Sequence, residues 1–68
     1  MRDYLRKLRN EKGITQLEVA NQLNISESGY SLIESGERQK DMSISMAEKL
    51  AAILDVPLTV ILENERKE

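Results

Sequence analysis

Few side chains in this sequence can do covalent or acid–base chemistry, and they are not grouped for it. There is no His and no Cys. That removes the usual proton shuttle, the commonest metal ligand, any disulfide and any thiolate zinc site. Glu34 and Glu37 form a carboxylate pair at a spacing that could serve acid–base work or a divalent ion. No nucleophile or ligand cluster accompanies them, so they read as surface charge, and no catalytic or metal-binding residue is expected. The chemistry left is electrostatic. Residues 1–12 carry Arg2, Arg6, Lys7, Arg9 and Lys12 against Asp3 and Glu11, whereas residues 13–40 and 41–68 are each net acidic. The total is −2, but local potential decides where an anion docks.

These charges must be held by something small. At 68 residues, 40% hydrophobic and 32% charged, the chain has the composition of one globular domain with a modest core. Its first residues are too charged for a signal peptide, and no apolar run approaches the ~20 residues that span a bilayer. The expectation is a soluble, cytoplasmic binding module with no membrane, cofactor or small-molecule ligand.

Apolar residues recur at helical spacing throughout, and nowhere alternate as in a strand. Tyr4, Leu5 and Leu8 predict a first helix over about 2–12, closed by Gly13. Thr15 and Glu18 form a capping box for a second helix over 16–23, burying Val19, Ala20 and Leu23 and ending at Asn24. Ser26 is a good N-cap for a third over 27–35, burying Tyr30 and Ile33, with Ser35-Gly36 at its end. Asp41, Ser43 or the Ser45–Glu48 capping box opens a fourth, whose inward stripe is Ile44, Ala47, Leu50, Ala51 and Leu54. Pro57 suits the start of a fifth over 58–64, with Leu58, Ile61 and Leu62 inward. The domain is expected over 1–64, with 65–68 a charged, frayed tail.

The stretch Gln16 to Ser35 is the informative one. Two short helices meet at a tight turn, with the small Ala20 where they should touch. This is the arrangement of a helix-turn-helix, whose second helix enters the major groove of DNA. The strings LRKLRNEKGITQLEVANQLNIS, IESGER and AEKLAAILDVPL extend the pattern over nearly the whole chain. In them the sequence resembles the lambda-repressor-like, Cro-type (XRE) helix-turn-helix family. The resemblance implies an all-α, compact five-helix domain with the helix-turn-helix at about 16–35. It also implies a homodimer that binds a double-stranded DNA operator, usually as a repressor.

The resemblance assigns residues one at a time. Gln16 matches a position whose amide holds a DNA phosphate and sometimes braces the reading helix. Ser26, Glu27, Ser28 and Leu32 match positions of the third helix that face DNA, and Ser31 is expected to bind DNA beside them. Glu27 could accept from cytosine N4 and Leu32 could meet a thymine methyl. Tyr30 is core first, with its hydroxyl in reach of the DNA backbone. Arg38 and Lys40 fall where the family places phosphate contacts, and Gln39 between them is taken as a further DNA contact. Arg9 and Glu34 match a pair that bridges the first helix to the end of the third. This chain departs from the pattern at Asn24 in place of the turn glycine, at Leu32, and in a longer loop after Gly36 that lacks a proline. Gly29, inside the third helix, is read as allowing close approach of that helix to the groove wall.

On the fifth helix, Leu58, Ile61 and Leu62 already supply a core stripe. Val60 points about 100° away from Ile61, flanked by Thr59 and Glu63. The resemblance places a dimer contact at this end, so Thr59, Val60 and Glu63 are the expected interface. The other function weighed is a protein-interaction adaptor or antitoxin-like module on the same fold. Its motives are the net −2, Glu27 and Leu32.

Overall fold

Most helix ends fall where the sequence supplies a cap. The structure is a computed structural model that describes residues 2–67. Met1, in the expected domain, and Glu68, in the expected tail, lie outside the described residues. The elements are α1 (Asp3–Lys12), α2 (Gln16–Leu23), α3 (Glu27–Ser35), α4 (Ile44–Leu54) and α5 (Leu58–Lys67). There is no strand among the described residues.

Gly13 closes α1 in the left-handed region, at φ 75°. The capping box opens α2: the Thr15 hydroxyl accepts from the Glu18 N–H at 3.1 Å, and Glu18 Oε1 accepts from the Thr15 N–H at 3.1 Å. Asn24, at φ 60°, turns the chain between α2 and α3. Ser26 caps α3 by accepting from the Gly29 N–H at 3.0 Å. Of the three starts open to α4, the structure uses Ser43, which accepts from the Met46 N–H at 3.1 Å. Each such cap stabilises by about 1 kcal/mol. Asp55 ends α4 at φ 57°, a left-handed conformation that a non-glycine residue adopts at some cost.

Two expectations are corrected. Ile44 belongs to the exposed side of α4, at 58% exposure, rather than to its inward stripe. It stands in the first turn, before that helix meets the core. The fifth helix continues to Lys67 instead of stopping near residue 64. Glu65, in that extension, is tied back to Arg2 and Tyr4 at the other end of the chain.

Every helix sends at least one large side chain into the core. Leu5, Val19, Tyr30, Ile33, Leu50 and Ile61 are all fully buried. Burial of each contributes about 1.5–3 kcal/mol. Ala20 and Ala47, also fully buried, let helices approach closely. The α2–α3 pair packs together, α4 packs on α5, and α1 bridges α3 and α4. The result is a rigid seat for α3, one side inward and the other free.

Candidate nucleic-acid interface

The seat of α3 is partly ionic. Arg9 Nε donates to Glu34 Oε2 at 3.1 Å and Arg9 Nη2 donates to Glu34 Oε1 at 3.2 Å, a two-point bridge from α1 to α3. The two side chains are 12% and 8% exposed, so water screens them little. A third Arg9 hydrogen bond goes to the Ile14 carbonyl at 3.1 Å. The hydrogen bond to Glu34 raises the Arg9 pKa, with burial opposing it. Gln16 Nε2 donates to Glu34 Oε1 at 3.4 Å, so the Gln16 amide braces α3 from the start of α2. Arg6, on the same helix as Arg9, makes only an exposed contact with Asp3 at 3.3 Å.

That contrast sets an expected result. Arg9→Ala leaves the Glu34 carboxylate buried without its cation, at a cost on the order of 3 kcal/mol at most. Arg6→Ala removes an exposed pair worth about 0–1 kcal/mol. Thermal unfolding followed by circular dichroism should show a clearly lower midpoint for Arg9→Ala. Equal midpoints would remove the structural role of the bridge.

Tyr30 is corrected as a DNA contact. It is fully buried, and its hydroxyl has no hydrogen-bond partner. Burial first, then the charge of Glu34, pushes this hydroxyl far above the ordinary phenol range. It offers no atom to an outside molecule.

The other face of α3 is open. Ser26, Glu27 and Ser28 are exposed, and Ser31 and Leu32 are half-buried. Ser26 Oγ, which caps the helix, lies 3.4 Å from Ser28 Oγ. Gln16 and Ser31 also line a cleft of about 290 Å³ between α1 and α3, together with Arg2, Arg6 and Arg9. Asp3 and Glu34 line it too, and Arg2, Arg9 and Gln16 spend donors on partners inside the domain, which leaves Arg6 as its most exposed cation. In the loop after α3, Arg38 and Lys40 are exposed. Gln39, predicted beside them, serves the loop itself. It sits at φ 58°, and its Oε1 accepts from the Ser43 N–H at 3.3 Å.

The residue missed from sequence is Arg2, counted there only as part of a basic segment. It is 4% exposed. Its Nη1 donates to the Ile33 carbonyl at 2.6 Å and to the Arg38 carbonyl at 3.0 Å. Its Nη2 donates to the Gln39 carbonyl and, at 3.0 Å, to Glu65 Oε1. Its Nε donates to Glu65 Oε2 at 2.8 Å, and the Tyr4 hydroxyl donates to the same carboxylate. One guanidinium thus fastens the end of α3, the loop that carries Arg38, and α5. The Glu65 carboxyl is held below the usual carboxylate range. Burial opposes that shift, but the Arg2 and Tyr4 hydrogen bonds and the charge of Arg2 outweigh it.

On α5, Thr59 and Glu63 are exposed and Val60 is half-buried, with Ile53 and Val56 also half-buried nearby in sequence. Ile53 and Val56 pack against the core. No described helix is long and apolar enough to cross a membrane.

Comparison with known proteins places this geometry in context. The helix-turn-helix family model matches residues 5–61. The chain is 38% identical over 64 residues to the uncharacterized HTH-type transcriptional regulator YqaF of Bacillus subtilis (strain 168), covering 94% of this chain and 82% of that protein. It is 34% identical over 66 residues to the uncharacterized HTH-type transcriptional regulator YqaE of the same organism, covering 97% of this chain and 55% of that protein. The chain thus spans most of the first relative and about half of the second. No solved structure matches it significantly.

Proposed function

This chain belongs to the helix-turn-helix family, and from that membership we propose that it is a sequence-specific DNA-binding regulator of transcription. In this reading it is a repressor that binds a palindromic operator as a homodimer in the cytoplasm, with α3 in the major groove. The observation that carries the reading is the two-sidedness of α3. Tyr30, Ile33 and Glu34 are buried, while Ser26, Glu27 and Ser28 are exposed on a capped N-terminal turn. A helix held this firmly on one side presents short polar groups at fixed positions on the other. That is what reading base edges requires.

Roles divide by chemistry. Glu27, Ser28 and Leu32 are the base-reading residues, with Ser31 beside them. Gln16, Ser26, Arg38 and Lys40 hold phosphates. Base contacts discriminate between sequences, whereas phosphate contacts position the protein on all of them. Glu27→Gln should therefore change the base preferred at one position of each half-site. Arg38→Ala should weaken every sequence alike and reduce the slope of log affinity against log salt by about 0.9 per contact removed. Competition binding against a panel of single-base operator variants separates the two. A uniform rise in affinity for Glu27→Gln would make Glu27 a repulsive bystander and end its base-reading role.

A further inference from the structure

A glycine stands in the first turn of α3, where it weakens the helix relative to alanine, and it is buried although its neighbours Glu27 and Ser28 are exposed. The space above Gly29 is not open for a DNA wall, as the sequence reading had it. A Cβ there would lie 3.1 Å from Ser26 Oγ, 3.2 Å from Arg38 Nη1 and 3.9 Å from Ile25 Cδ1. The first two are closer than ordinary van der Waals contact. The missing side chain leaves a shallow notch, and the Arg38 guanidinium packs over its rim at a distance that a Cβ would crowd by a few tenths of an ångström.

The backbone of Arg38 is fixed well away from that notch. Its N–H donates to the Leu32 carbonyl at 3.1 Å, and its carbonyl accepts from Arg2 Nη1 at 3.0 Å. Its side chain must therefore run back about one turn along α3 to reach Gly29. A guanidinium in that place meets the positive end of the helix dipole, with the exposed Glu27 of the same turn as the offsetting charge. Two locally unfavourable choices coincide: a glycine inside a helix and a cation beside the helix start. They serve together if an anion arrives there.

We propose that Gly29 is the positioning residue for Arg38: its notch delivers the Arg38 guanidinium to the first turn of α3, beside Ser26 and Ser28. There it grips the phosphate flanking the bases read by Glu27 and Ser28. This inference rests on the DNA-binding reading above. It assigns Arg38 to the start of the reading helix rather than to the end from which its backbone departs. The depth and angle at which α3 enters the groove are then set by one arginine and one missing Cβ.

The test is a double-mutant cycle on Gly29→Ala and Arg38→Ala, with affinity for a selected operator duplex measured across a salt series. Gly29→Ala should keep the helical circular-dichroism signal and a melting midpoint close to the parent's, because the helix preference of alanine offsets the crowding of the Ser26 cap. It should nevertheless lose about tenfold in affinity, as expected when a charged phosphate contact is removed. Its salt slope should fall by about 0.9, as for Arg38→Ala. In the Arg38→Ala background, Gly29→Ala should cost nothing further. Unchanged affinity for Gly29→Ala, or the same loss in both backgrounds, would overturn the proposal. A second measurement on the free protein needs neither variant nor DNA. Nuclear Overhauser contacts between the Arg38 δ-methylene and the Gly29 α-protons should be present, and their absence would remove the notch outright. If those contacts are seen but the parent protein binds no DNA at any salt, the DNA reading fails and the positioning role with it, while the notch stands.

Discussion

Arg2→Ala is expected to destabilise the domain by about 3–5 kcal/mol, the cost of breaking a buried ion pair from one side. For a chain of 68 residues, total stability at roughly 0.05–0.15 kcal/mol per residue is only about 3–10 kcal/mol. Much of the population should therefore be unfolded. The reason is the number of groups that depend on one guanidinium. The Glu65 carboxylate, 16% exposed, loses its cation, and the carbonyls of Ile33, Arg38 and Gln39 lose a donor. Lysine in place of Arg2 would keep the charge but not the planar fork that reaches α3, the loop and α5 together. Chemical denaturation monitored by circular dichroism measures the loss; a midpoint no lower than that of Arg6→Ala would show that the cluster does not hold the fold. A pH dependence accompanies it. The carboxyl of Glu65 is below its ordinary value of 4.5 in the folded state. Its contribution is therefore full above about pH 4.5 and lost as pH falls through the folded pKa. Arg2→Ala should remove that part of the acid sensitivity.

Val60→Glu is expected to convert the proposed homodimer to monomer and to lower operator affinity by about 100-fold. It would set two like charges against each other across the proposed axis. Joining two half-site contacts in one particle is worth about 10²–10⁴ in affinity, and that gain would be lost. Val60 is half-buried between the exposed Thr59 and Glu63, so the helical signal should remain. Two reading helices related by a two-fold axis at this end would enter successive major grooves about 34 Å apart. Light scattering on the free protein measures the first effect and a binding titration the second. A dimer that survives in the mutant would move the interface elsewhere, to α1 or the 37–42 loop.

Local chemistry was legible in the sequence; chemistry that closes over long separations was not. Gly13, Thr15 with Glu18, Asn24 and Ser26 all cap helices as their types and spacing imply, because a cap involves only the next three or four residues. Ser43 could not be separated from its neighbours because three plausible caps stand within five residues. The burial of Arg2 depends on a partner 63 residues away, and it precedes the periodic part of α1, so no pattern marks it. The extension of α5 to Lys67 follows from the same contact. Ile44 fits the inward stripe by spacing, and only the angle at which α4 enters the core exposes it. The bridge from Arg9 to Glu34 was visible through family resemblance alone, since nothing in either local stretch points to the other. For Gly29 the cost was legible and the occupant was not. The fold of the loop that carries Arg38 decides what packs over the notch, and no local spacing marks that approach.

The measurement that bears most directly on the central claim is selection of bound sequences from a random double-stranded DNA pool, followed by affinity against salt for the winning sequence. The account expects an enriched inverted repeat with half-sites one helical turn apart, and affinity that falls steeply and linearly in log salt through counterion release. No enrichment, with no retention on DNA even at low salt, would contradict it and favour a protein-binding module on the same fold.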